Sequence, residues 1–174
     1  MTEPHRHAEW SRVMFDMMRE AGVTLFTHVP DAGNECLIQM AQADNAARTV
    51  LLTSEEEGIA MAAGADLVGG RAVLCMQSSG VGNCPNFLTL AKAARFPLLM
   101  MVTMRGDYGE QNPWQYSMGE AAVPILEAMG VLIFRVARRD ELEGAVQAAL
   151  HASGKGAQSA AIVLSQKFLG AKGF

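Results

Sequence analysis

Aromatic residues are scarce in this chain, at 6% of 174 positions, and so are cysteine, with three, and proline, with six. Cys36, Cys75 and Cys84 are odd in number and stand at no metal-ligating spacing, so neither a disulfide framework nor a zinc module is indicated. Cys75, inside an apolar run, reads as a core thiol. No stretch approaches the roughly 20 uninterrupted apolar residues of a membrane helix, and Met1 to His7 is polar with no apolar run behind it, unlike a secretory leader. A cytoplasmic protein without a membrane partner is therefore expected. Lysine and arginine total 14 against 18 aspartates and glutamates, a net charge of −4, and no basic cluster offers a surface to nucleic acid. Internal repeats, low-complexity tracts and interdomain linkers are also missing.

What is present is a steady alternation of helix and strand patterns. Half of the residues are hydrophobic, enough for an ordinary core in a single domain over 1–174. Trp10, Val13, Met14, Met17 and Met18 form the apolar stripe of a helix over Glu9 to Ala21 that ends at Gly22. Leu25 to Val29 reads as the first strand and runs into the turn residues Pro30-Asp31-Ala32-Gly33. A helix over Asn34 to Ala43 and a second strand over Thr49 to Thr53 follow. Further strands are predicted at Ala72 to Met76, Leu98 to Thr103, Val131 to Val136 and Ala160 to Leu164, the fourth apolar enough to be central. Further helices are expected from Asn83 or Pro85 to Phe96, over Ala121 to Met129, and over Asp140 to His151 behind a solvated Arg138-Arg139. The tail Ala171 to Phe174 is expected to fray. Six strands alternating with six helices predict a three-layer α/β/α sandwich around a mostly parallel sheet.

Two stretches interrupt this regularity with chemistry. The first runs from Thr53 to Asn83. Ser54 and Glu57 have the spacing of a capping box, and Glu55 and Glu56 fall in a first turn where the helix dipole favours negative charge. From Gly58 to Gly64 the side chains are small or apolar, which predicts a well-buried helix with a half-buried carboxylate at its start. After the next strand, Ser78-Ser-Gly-Val-Gly-Asn83 is a glycine-rich turn at a strand's carboxyl end, where open α/β sheets bind ligands. The second stretch is Arg105 to Gly119, too long and too polar for a simple connector.

The register E-x8-G, with Met61-Ala62 before Gly64, followed by a strand and S-G-x-G-N, resembles the pyrimidine-binding (PYR) domain of thiamine diphosphate enzymes. The resemblance covers essentially the whole chain and implies that family's six-stranded α/β/α fold. His28-Val-Pro-Asp31 and Arg105-Gly-x-x-Gly-Glu-x-Asn-Pro113 look most similar to the sulfopyruvate and phosphonopyruvate decarboxylases. In the family a glutamate at the helix start bonds N1′ of the cofactor's aminopyrimidine and governs its proton. Counting back from Gly64 assigns that role to Glu55, with Glu56 the alternative if the register slips by one. The resemblance also places Ser79, Gly80 and Asn83 near the pyrimidine; a plain strand-to-helix turn is the other reading of that segment.

Substrate contacts are implied for His28, Arg105 and Gln115. Each has a second reading: His28 as a satisfied strand-end histidine, Arg105 as a loop-ordering partner of Asp107 or Glu110, and Gln115 as one of several lid amides. The G-D-G…N motif that holds Mg²⁺ and the diphosphate in a PP domain has no counterpart here, since Gly106-Asp107 runs into Tyr108. The resemblance thus implies an α subunit that holds no metal itself and pairs with a PP-domain β subunit, with thiamine diphosphate and Mg²⁺ in the cleft between them. A small anionic 2-oxo acid, sulfopyruvate or phosphonopyruvate, is the implied substrate, and self-association of PYR domains is expected. Other classes fit poorly. Gly80-Val-Gly82-Asn-Cys-Pro85 lacks the third glycine of a dinucleotide fingerprint, Met76-Gln-Ser-Ser-Gly80 lacks the first glycine of a serine-hydrolase elbow, and Cys84 has no evident histidine partner. A non-catalytic PYR-like partner is the remaining competitor.

Overall fold

The computed structural model describes residues 5–170, so the expectation for Ala171 to Phe174 lies outside the described residues. Six strands form one all-parallel sheet in the order β2-β1-β3-β4-β6-β5: β1 Val23–His28, β2 Arg48–Leu51, β3 Arg71–Gln77, β4 Leu98–Thr103, β5 Leu132–Val136 and β6 Ser159–Leu164. Every residue of β4 is buried, as its uninterrupted apolar run predicts for a strand covered on both faces. Helices α1 His5–Glu20, α2 Glu35–Ala43 and α6 Leu142–Ser153 cover one face of the sheet, where Met14, Phe26, Leu37, Val146 and Ile162 share a core. Helices α3 Glu55–Leu67, α4 Pro85–Ala94 and α5 Tyr116–Ala128 cover the other, around Ile59, Met76, Leu88, Met100 and Leu126. A short α7, Gln166–Leu169, closes the described chain.

Crossovers toward β5 run over the α3–α5 layer and returning ones over the α1/α2/α6 layer, the arrangement that right-handed βαβ connections impose. The chain therefore changes direction in the sheet beside β1 and β3, which opens a crevice at their carboxyl ends. Glycine accounts for one close approach on the way: a Cβ on Gly58 would stand 2.5 Å from Leu74 Cδ1 and 2.9 Å from Thr27 Oγ1, so α3 lies directly on β1 and β3.

Several expectations are corrected. α3 buries only the stripe Glu55, Gly58, Ile59 and Ala62, and leaves Leu67 and Val68 87% and 83% exposed; small side chains on every side gave no polar face to mark the solvent. No capping box closes its start. Ser54 is the N-cap residue without a side-chain cap bond, its hydroxyl donates to Glu56, and Glu57 Oε2 accepts from the Thr53 N–H at 3.0 Å. Ser78–Asn83 is a 3-10 helix rather than a turn. The polar interval after β4 is shorter than read, because Pro113–Gln115 is a further 3-10 turn and α5 already begins at Tyr116, tolerating Pro124 inside it. α1 begins before Glu9, a 3-10 turn at Arg139–Glu141 precedes α6, and α7 raises the helix count to seven. Arg138 is solvated as expected and pairs with Asp140 and Glu141.

The cysteines give a direct test of the layering. Cys75 lies in the α1/α2/α6 core and Cys84 in the other, and burial pushes both thiols up to about 12. Cys36 on α2 is half-buried. An aromatic disulfide reagent at pH 8 is expected to label Cys36 alone in the native protein and all three thiols after denaturation; rapid native labelling of Cys75 or Cys84 would contradict this packing.

Candidate active site

The carboxyl ends of β1 to β4 each deliver a polar segment to the same crevice. α3 starts directly after β2, and its first residue, Glu55, is only 7% exposed. The 3-10 helix after β3 folds over it. Asn83 Nδ2 donates to Glu55 Oε2 at 2.8 Å, and a Cβ on Gly80 would collide with Oε1, Cδ and Cγ of the same carboxyl. Only glycine at position 80 leaves room for this carboxylate. Glu56, by contrast, is half-buried outside this cradle, and the Ser54 hydroxyl draws its carboxyl below the ordinary value. The structure thus brings Glu55, Gly80 and Asn83 into one cradle and leaves Glu56 and Glu57 outside it.

Ser79 turns away from that carboxylate. Its hydroxyl donates to Gln77 Oε1 at 2.8 Å, and Gln115 Nε2 donates to the same oxygen at 3.2 Å. Gln77 Nε2 in turn donates to Asp31 Oδ1 at 3.1 Å, while Asp31 Oδ2 accepts from Thr103 Oγ1 at 2.7 Å and from the Gly33 N–H at 2.9 Å. Two of the expected site residues are therefore joined by a third, Gln77, that the sequence reading passed over, together with Asp31, read only as a turn residue. The signal available was a polar residue closing the apolar run Ala72 to Met76 just before a glycine-rich segment.

Arg105 takes the loop-ordering role. Its Nε and Nη2 reach the two oxygens of Glu110 at 2.6 Å each, and the Glu110 side chain is 1% exposed. Glu110 also accepts from the Gly106 and Asn112 N–H groups and from Gln166 Nε2. The guanidinium holds the Glu110 carboxyl well below the usual carboxylate range. Gln166 Oε1 accepts from the Gly106 and Tyr108 N–H groups, and the Asp107 carboxylate accepts from the Gln166 N–H. The loop is thus stitched to α7 rather than hanging free. Glu110 entered the sequence reading only as one possible partner of Arg105, and Gln166 did not enter it, because a contact 60 residues away carries no local signal.

His28 is not brought to Glu55. It shares the β1 face of Phe26, under α2, whereas α3 lies on the opposite face. It is buried and lines a cavity of about 470 Å³ with Pro30, Asp31, Asn34, Ile38 and Gln39. Its Nδ1 is buried without a hydrogen-bond partner, and desolvation lowers the ring's proton affinity, which favours the neutral imidazole. It is therefore not the fully satisfied strand-end histidine that the sequence favoured. Among the described residues no group of three or more histidine, cysteine, aspartate or glutamate side chains is arranged to hold a metal ion, and no helix is long and apolar enough to cross a membrane.

Comparison with known proteins bears on this geometry. Residues 9–122 match the family model described as thiamine pyrophosphate enzyme, N-terminal TPP binding domain. The chain is 35% identical over 122 residues to a sulfopyruvate decarboxylase subunit alpha of Methanothermobacter thermautotrophicus, covering 70% of this chain and 74% of that one. It is 32% identical over 132 residues to the equivalent protein of Methanococcus maripaludis, covering 75% and 79%. A phosphonopyruvate decarboxylase of Streptomyces viridochromogenes is 39% identical over 108 residues, 61% of this chain but 27% of that protein. Among solved structures, a 2-oxoglutarate:ferredoxin oxidoreductase from Magnetococcus marinus superposes with a TM-score of 0.66 at 14% identity, over 92% of this chain and 29% of that one, a likeness of fold alone.

Proposed function

As the chain belongs to the family of thiamine pyrophosphate enzyme N-terminal TPP-binding domains, we propose that it is the pyrimidine-binding α subunit of a two-subunit thiamine diphosphate-dependent 2-oxo acid decarboxylase. Sulfopyruvate is the substrate we infer, with sulfoacetaldehyde and carbon dioxide as products. The observation that carries the reading is the Glu55 carboxyl held between Asn83 and Gly80 at the head of α3.

Those residues fit an aminopyrimidine edge. Glu55 would hold and exchange the proton at N1′, Asn83 fixes one carboxyl oxygen so that the other is oriented, and Gly80 permits the close approach. When bound, the cofactor supplies the electron sink for decarboxylation. The chain's own part is to bind and orient the pyrimidine and move one proton, while the loop from Arg105 to Gln115 shields the crevice. Mg²⁺ and the diphosphate would be held by a separate PP-domain subunit, which leaves residues 1–174 as the PYR domain alone. Relatives named subunit alpha support such a partner. So do Tyr108, Trp114 and Tyr116, three exposed large aromatics within nine residues of the loop and the start of α5, of the residue types that anchor interfaces. The bare Leu67 and Val68 end of α3 is the surface we assign to self-association. Phosphonopyruvate is the second candidate, because relatives with that name reach 39% and 40% identity.

The test is a decarboxylation assay with thiamine diphosphate and Mg²⁺ on this chain alone and with a separately produced diphosphate-domain subunit, offering sulfopyruvate and phosphonopyruvate in turn. Turnover only in the mixture is expected. A mixture that binds no cofactor and decarboxylates neither acid would leave the chain a non-catalytic relative of the family.

A further inference from the structure

Gln77 hydrogen-bonds to three of the four segments around the crevice. It ends β3, and a carboxylate that can only accept hydrogen bonds fixes which way its amide points: Nε2 faces Asp31 Oδ1, leaving Oε1 for the Ser79 hydroxyl and Gln115 Nε2. Asp31 belongs to the turn after β1, Ser79 to the 3-10 helix that carries Gly80 and Asn83, and Gln115 to the last turn of the loop before α5. Asp31 is itself held by Thr103 at the end of β4 and by its own turn's Gly33 N–H. The two fixed points of the network are therefore strand ends, and the 3-10 helix and the loop are joined to them through the amide between them.

We propose that Gln77 is a positioning residue that registers the loop Arg105 to Gln115 and the Gly80–Asn83 cradle against the β1 turn, so that the loop and the pyrimidine site take up their geometry together. Its catalytic meaning rests on the function proposed above. The coupling itself belongs to the free chain and is read there. Replacing Gln77 by leucine removes both halves of the bridge. Gln77→Glu alone sets a second carboxylate about 3 Å from Asp31, a pair that cannot both ionise comfortably. Asp31→Asn with Gln77→Glu rebuilds every bond with the charge moved: the new amide at 31 donates to the new carboxylate at 77, which still accepts from Ser79 and Gln115.

Hydrogen exchange followed by mass spectrometry on the free chain tests this. In Gln77→Leu, peptides covering 78–83 and 105–116 should exchange together, about 10-fold or more faster than in the parent, as loss of the amide's three hydrogen bonds implies, with Leu98–Thr103 of β4 unchanged. In the Asp31→Asn/Gln77→Glu double variant, protection of both peptides should return to within about threefold of the parent, which loss of either single partner would not allow. If Gln77→Leu also loses protection in β4, the comparison of Gln77→Glu with the double variant decides. Unchanged exchange in both peptides, acceleration of one without the other, or a double variant no better protected than Gln77→Glu would overturn the assignment. None of these outcomes depends on cofactor or partner, so a failed decarboxylation assay and a failed coupling remain separate results.

Discussion

Glu55→Gln in the chain reconstituted with the proposed diphosphate-domain subunit is expected to lower kcat by at least about 10²-fold, the scale of general acid/base contributions, while the melting temperature stays close to that of the parent. The amide is isosteric and can still meet Asn83 through its oxygen, so the cradle should persist. What it cannot do is take up and release the proton that the proposed role at N1′ requires. Gly80→Ala reaches the same group by another route. Its methyl would occupy the space of Oε1, Cδ and Cγ of Glu55 and push the carboxyl out of line. A loss comparable to that of Glu55→Gln is expected, with thiamine diphosphate affinity reduced as well. Glu56→Gln serves as the control, since that side chain lies outside the cradle and bonds to the Ser54 hydroxyl instead. A Glu55→Gln pair with parental kcat, or a Glu56→Gln pair that is dead, would sink the assignment.

The second large effect is structural. Glu110→Gln should destabilise the chain by about 2–3 kcal/mol at pH 7, somewhat under the 3–5 expected for a fully buried broken ion pair, because the Arg105 side chain retains 16% exposure. That corresponds to a fall of about 4–12 °C in Tm for a chain of this size. The bidentate pair is lost, and three further donors, from Gly106, Asn112 and Gln166, face an amide that cannot accept them all. The pH dependence has a definite sign. The folded carboxyl titrates well below its ordinary value of 4.5, so its stabilisation is fully present above that pH. It declines as the pH falls from there toward the folded value, by up to about 1.4 kcal/mol per unit. The Tm gap between parent and Glu110→Gln should therefore be constant from pH 8 to pH 5 and narrow below pH 4.5. A gap that widens on acidification would mean that Glu110 is not the charged partner of Arg105.

The elements of the fold were legible because buried parallel strands and the helices between them write continuous apolar runs and 3.6-residue stripes into the sequence. β4 and the α1 stripe are the clearest instances. Legibility failed where the pattern carried no contrast. In α3, alanines and glycines on all sides hid which face is bare, and the 3-10 helix over Ser78–Asn83 shares its composition with an ordinary turn. The start of α5 was lost for a related reason, since Trp114, Tyr116 and Ser117 look like loop chemistry until α5 packs on the 3-10 helix after β3.

For the site, the sequence by itself determined the family resemblance, the glutamate at the head of α3, the glycine and asparagine that meet it, and the loop rich in polar groups. Those are local registers, fixed by spacing along one stretch of chain. Only the tertiary structure decided that Glu55 rather than Glu56 faces Gly80, that Arg105 is neutralised by Glu110, that His28 lies on the far face of the sheet, and that Gln77 binds Asp31, Ser79 and Gln115 at once. Apart from the Arg105–Glu110 pair, which lies within one loop, these are settled by contacts that the sheet order creates at the carboxyl ends of β1 to β4, between segments up to 72 residues apart. Spacing along the chain holds no record of which polar atoms such a crossing will bring within 3 Å.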